Sequence, residues 1–179
     1  MPYSPAFDTF ALSFFGLVPL GKVIAIANQK GGVGKTTTAI NLGAALARRE
    51  MWTLIIDCDP QANTTGGLGF ARDPARRTLY HALTLDVPLK ELVLPGPLEG
   101  LHLIPSNKNL VGATVELVDR PERERALRKR MESFRNDFNY ILLDCPPALT
   151  FSPSMPSSQR TPSSFPFNAS ISPSRASPN

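Results

Sequence analysis

The stretch KVIAIANQKGGVGKTT, residues 22–37, decides the fold of this 179-residue chain. Lys22–Ala27 is a short apolar run and reads as a buried strand, with a glycine-rich turn directly after it. From Lys35 to about Arg49 the apolar positions Ala39, Ile40, Leu42, Ala44, Ala45 and Leu46 give a helix with a broad buried face. A strand, a glycine loop and a helix in that order make a phosphate site. Glycines let consecutive backbone N–H groups converge on anionic oxygens, the helix contributes its positive end, and a lysine adds a full charge. A threonine immediately after that lysine, here Thr36, places a hydroxyl for Mg²⁺. The common pattern G-x-x-x-x-G-K-[ST] has glycine where this chain has Gln29, and an additional lysine, Lys30, precedes Lys35 by five residues.

Outward from this loop, apolar runs alternate with helical stretches, which predicts an α/β fold with a mostly parallel sheet and flanking helices. Thr53–Asp57 (TLIID) is expected as the second strand, Leu101–Pro105 (LHLIP) as the third, and Tyr140–Asp144 (YILLD) as the fourth, ending at Pro146-Pro147. Pro121–Phe134 carries Glu and Arg at helical spacing and reads as a surface helix. Asp57 and Asp59 end the second strand one residue apart, so in extended geometry they point the same way, toward the carboxyl edge where such sheets bind ligands. A carboxylate there can orient a water molecule or support a cation. Asp144 ends the fourth strand in the same fashion. No internal repeat is visible.

These features together identify a resemblance to the ParA/Soj branch of the ParA/MinD family of ATPases, which carries a deviant Walker A motif. KGGVGKTT, DCDPQANTT, LIPS, ELV and ILLDCPP occur in the family's order between Gly21 and about Leu149. The resemblance implies a P-loop NTPase, incomplete at its C-terminal end, with ATP and Mg²⁺ as cofactors. It implies that Gly31, Gly32, Val33, Gly34, Lys35, Thr36 and Thr37 hold the nucleotide, with Lys35 on the β- and γ-phosphates. Lys30 would reach the nucleotide of a partner subunit in an ATP-sandwich homodimer. Asp59 would orient the attacking water, while Thr36, Asp57 and Asp144 would serve the metal. The implied function is chromosome or plasmid partitioning: ATP drives dimerisation and nonspecific DNA binding, a ParB-type partner stimulates hydrolysis, and the protein is cytoplasmic and nucleoid-associated, without a membrane. A MinD-like division-site ATPase is the alternative from the membrane-binding class, and it should end in an amphipathic helix. An ATP-dependent biosynthetic amidotransferase and an inactive fragment of a disrupted partition gene are further alternatives.

Composition narrows these classes without choosing among them. Lys and Arg total 19 against 15 Asp and Glu, a formal charge of +4. Two of the basic residues lie in a tail of 30 residues from Thr150 that holds ten Ser, six Pro and no acid, so net charge alone does not argue for nucleic acid. A basic cluster at Arg120, Arg123, Arg125, Arg128, Lys129, Arg130 and Arg135 is interleaved with Glu122, Glu124 and Glu132, and it describes a solvated helix as well as a DNA-facing one. Cys58 and Cys145 fit a reducing compartment and do not match the loop positions of a bridging iron–sulfur cluster. Residues 1–20 are apolar but lack a basic leader, and their stretch Thr9–Leu20 is too short to span a bilayer; they read as an extension preceding the true start. The tail after Leu149 reads as disordered, and synonymous codons permit an out-of-register helix–strand–helix there, so a frameshift is the expectation. Without a strand beyond the fourth, Lys22–Ala27 should present an unpaired edge, and the chain is expected to be unstable and to hydrolyse ATP poorly.

Overall fold

The structure, a computed structural model, describes residues 21–116 and 126–146. Five strands form one mixed sheet in the order β1-β5-β2-β4-β3. They are β1 (Lys22–Ile26), β2 (Thr53–Asp57), β3 (Leu94–Pro95), β4 (Leu101–Ile104) and β5 (Tyr140–Asp144). β1, β5, β2 and β4 run parallel, in a register that sets Ile26 opposite Asp144 and Asp144 opposite Asp57. Their carboxyl ends therefore share one edge, and the glycine loop, Asp57, Asp144 and Ser106 all emerge there. β3 is a two-residue antiparallel addition to β4, absent from the sequence reading because a Leu-Pro pair carries no periodicity.

The helices are α1 (Lys35–Ala47), α2 (Asn63–Gly67), α3 (Leu79–Thr84), α4 (Leu110–Glu116) and α5 (Ala126–Met131). β2 is buried along its whole length and its side chains alternate between two cores. Leu54, Ile56 and Cys58 join Leu79, Leu127, Phe134, Ile141 and Leu143 on one face. Ile55 joins Ala39, Leu101, Leu103 and Leu142 on the other, under α1. Gly43 permits this close seating, since a Cβ there would stand 2.7 Å from Ile55 Cδ1. α1 ends at Ala47, earlier than Arg49, because Arg49 and Glu50 turn back onto the carbonyls of Leu46 and Ala47.

Two expectations are revised by packing. The helix expected over Pro121–Phe134 falls partly outside the described residues, and its described part is not simply a surface helix: Leu127, Met131 and Phe134 are buried, with Arg128 and Lys129 exposed. Of the basic cluster, Arg120, Arg123 and Arg125 lie outside the described residues. Arg130 pairs with Asp86, and Arg135 donates from Nε to the Gly21 carbonyl at 2.7 Å. Two of the four described cations are thus engaged within the fold. The expected edge is present: among the described residues β1 pairs with β5 alone, and Val23–Ile26 remain partly exposed.

Candidate nucleotide-binding site

The loop between β1 and α1 is built for an anion. Gly34 caps α1 at φ +84° and Gly32 lies at φ +71°, a left-handed conformation that a side chain disfavours. A Cβ placed on Gly31, Gly32 or Gly34 would meet nothing within 4 Å, so the loop encloses open space. The first α1 hydrogen bond runs from Thr38 N to Gly34 O at 2.8 Å; the preceding helical amides have no carbonyl inside the helix to donate to. Lys35 Nζ lies 3.4 Å from Lys30 O, folded over its own loop. Lys30 is exposed, and its amide donates to Asn28 Oδ1 at 2.9 Å. Val33 and Thr37 are also exposed.

Opposite the loop, two buried carboxylates stand on neighbouring strands. Asp144 Oδ2 accepts hydrogen bonds from Thr36 Oγ1 at 2.8 Å and Thr64 Oγ1 at 2.7 Å. Asp144 Oδ1 is buried and accepts none. Asp57 differs in that both its oxygens are engaged: Oδ1 accepts from Asp59 N at 3.1 Å, and Oδ2 accepts from Thr65 N at 2.8 Å and Thr65 Oγ1 at 2.7 Å. Asp59 accepts from Gln61 N at 2.9 Å. The structure thus places Thr36 with Asp144, and Asp57 with Asp59, but joins Asp57 to α2 rather than to the glycine loop.

Burial pushes the Asp57 carboxyl from 3.8 up to about 6; the Thr65 and Asp59 hydrogen bonds oppose the shift, and the neighbouring Asp144 adds to it. The folded state therefore holds this proton more tightly than the unfolded state. The resulting stabilisation is complete below about pH 4 and is lost as pH rises through about 6, a change of roughly 3 kcal/mol. In Mg²⁺-free buffer the wild-type chain should lose more stability between those pH values than Asp57→Asn. Thermal melts of both proteins check this, and coincident pH slopes would show that the carboxyl is solvated.

Three participants were not assigned from the sequence: Thr64, Thr65 and Ser106, whose amide donates to Thr65 Oγ1 at 3.0 Å. DPQANTT and LIPS were visible as motifs, but a Thr-Thr pair in the first turn of a five-residue helix carries no periodicity, and its long-range partners arise only when the strands align.

The donor set fits a hard divalent cation beside phosphate. A buried carboxylate oxygen with no donor, a threonine hydroxyl next to it and an open amide-lined loop supply oxygen ligation and anion binding in one place. A protein-family model described as an AAA domain matches residues 21–155. Chromosome partitioning protein ParA of Myxococcus xanthus is 48% identical over 134 residues, covering 75% of this chain and 47% of the relative. The chain belongs to the ParA/Soj branch of this AAA-domain family. Chromosome-partitioning ATPase Soj of Thermus thermophilus is 52% identical over 128 residues, covering 71% of this chain and 47% of the relative. Among solved structures, cobyrinic acid a,c-diamide synthase from Mycobacterium smegmatis with bound ATP analogue and magnesium superposes with a TM-score of 0.68 at 38% identity, over 72% of this chain and 52% of that one. This ParA/Soj-type chain spans about half the length of the curated relatives it matches. No helix among its described residues is long and apolar enough to cross a membrane.

Proposed function

We propose that this chain supplies the nucleotide-binding part of an ATPase that partitions chromosomes or plasmids. The observation that carries the reading is the convergence of Thr36, in the first turn of α1 after the glycine loop, with Asp144, at the end of the neighbouring strand, in a sequence whose relatives are named for chromosome partitioning. For the biosynthetic amidotransferase alternative, the solved neighbour named as a diamide synthase stands at 38% identity; the partitioning relatives, at 48% and 52%, are more similar in sequence, and no substrate-specific feature favours the biosynthetic reading.

In this reading the amides of residues 31–37 and the Lys35 ammonium bind the β- and γ-phosphates of ATP. Thr36 and Asp144 hold Mg²⁺, which when bound neutralises charge on the phosphate oxygens. Asp59 orients the attacking water. Lys30, exposed on the loop, reaches the nucleotide of a second copy and so links homodimerisation to the γ-phosphate. The ATP-bound dimer binds DNA without sequence preference on the nucleoid, and a ParB-type partner stimulates hydrolysis. The MinD-like alternative differs in its surface, a lipid bilayer in place of DNA.

The test is genetic and biochemical together. Deleting the gene in its host should raise the frequency of anucleate cells or of plasmid loss, and the purified protein should co-sediment with duplex DNA in ATP·Mg²⁺ but not with liposomes. Normal segregation after deletion would overturn the partitioning role. ATP-dependent liposome binding would replace it with the membrane reading.

A further inference from the structure

The adjacent residues Thr64 and Thr65 grip the two buried carboxylates from one short element, Thr64 on Asp144 and Thr65 on Asp57. Both hydroxyls are buried, Thr64 fully and Thr65 to within 5%. Because Asp57 and Asp144 face each other in register on β2 and β5, the pair of threonines ties α2 to two strand ends at once. The consequences at the two carboxylates differ. Asp57 is saturated by donors, whereas Asp144 has two hydroxyls on Oδ2 and none on Oδ1. A buried carboxylate with one bare oxygen is costly unless a cation or water approaches it. Donation to Oδ2 fixes the carboxyl group's rotation, which leaves Oδ1 as the oxygen available to a cation.

We propose that Thr64 is a positioning residue for the divalent-cation site: it holds Asp144 in the orientation that receives Mg²⁺ and thereby couples cation binding to the ordering of α2. This rests on the reading of the site as one for ATP·Mg²⁺. Thr36 lies in the first turn of α1, directly after the glycine loop; Thr64 comes from a separate segment that also carries Gln61 and adjoins Asp59. Occupation of the site would thus be felt by the segment that presents Asp59, without any change in the glycine loop.

The experiment uses the full chain and a fluorescent ATP analogue, titrated in EDTA and at increasing Mg²⁺. Thr64→Val, which removes the hydroxyl at nearly constant volume, should raise the Mg²⁺ concentration for half-saturation about tenfold while leaving binding in EDTA within twofold. Thr64→Ser should restore the wild-type Mg²⁺ dependence. In the wild-type chain, amide hydrogen exchange over residues 63–67 should slow on adding Mg²⁺ to the nucleotide-bound protein, a readout that does not depend on any variant folding. Unchanged exchange there, equal Mg²⁺ dependence in Thr64→Val, or loss of Mg²⁺ affinity in Thr64→Ser as large as in Thr64→Val would overturn the proposal. A wild-type chain that binds no nucleotide in either condition overturns the ATP reading itself, and this role of Thr64 with it.

Discussion

Replacement of Lys35 by alanine is expected to weaken binding of ATP·Mg²⁺ by about 10- to 100-fold while leaving the fold intact. The physical basis is the loop itself. Lys35 is the first residue of α1 and its ammonium already turns back toward the loop, 3.4 Å from Lys30 O. A carbonyl oxygen is a weak partner for an ammonium, and a phosphate oxygen bearing formal charge replaces it at a gain typical of charge-assisted hydrogen bonds. Glycine conformations, helix dipole and Thr36 all survive the substitution, so the deficit isolates one charge. Lys30→Ala provides the contrast. Its side chain is exposed and its loop contact is made by the backbone amide, so the variant should bind nucleotide as a monomer within about threefold of wild type and lose ATP-dependent dimerisation. Equilibrium titration with a fluorescent analogue, followed by sedimentation velocity, separates the two. Equal nucleotide affinity in Lys35→Ala and wild type would sink the phosphate assignment of this loop.

Phe134→Ala is expected to produce the largest loss of stability, about 3–5 kcal/mol. Phe134 is 2% exposed and packs edge-on to Phe138, with ring centroids 6.2 Å apart. It closes the core beneath α5 together with Leu127 and Met131, at the point where the chain turns to feed β5. Phe134 shares this core with residues of the sheet, Leu54 and Ile141 among them, and a close-packed interior limits collapse into a void, which keeps the cost near the upper range. A loss of that size is a large share of the stability of an ordinary domain. Chemical denaturation of the variant and the parent checks it, and a difference under about 1 kcal/mol would mean that the core beneath α5 is loosely packed. Leu85→Ala, at a residue 63% exposed, should be nearly silent in the same assay.

Much of the fold was legible because its signals are local. Four parallel strands are continuous apolar runs bounded by turn residues, and α1 repeats its apolar positions with helical period over a length that no loop would keep. The short elements were less visible for the same reason. α2, with sequence NTTGG, has neither length nor period, and β3 is two residues paired by proximity to β4. The helix around Leu127 was read as solvated from its Arg and Glu content, yet its placement is decided by three apolar side chains, Leu127, Met131 and Phe134, spaced for one buried face.

The sequence by itself determined the phosphate loop. Gly32, Gly34, Lys35 and Thr36 act through backbone conformation and nearest neighbours in the chain, and such relations are written in consecutive residues. It also determined that Asp57 and Asp144 end strands. Only the tertiary structure decided what those acids do, because Asp144 meets Thr36 across 108 positions and Thr64 across 80. Sheet order and register place the two carboxylates side by side, and that juxtaposition leaves Asp57 saturated and Asp144 with one oxygen open. Hydrogen-bond satisfaction at a buried group depends on everything that surrounds it, and that surrounding exists only once the chain has folded.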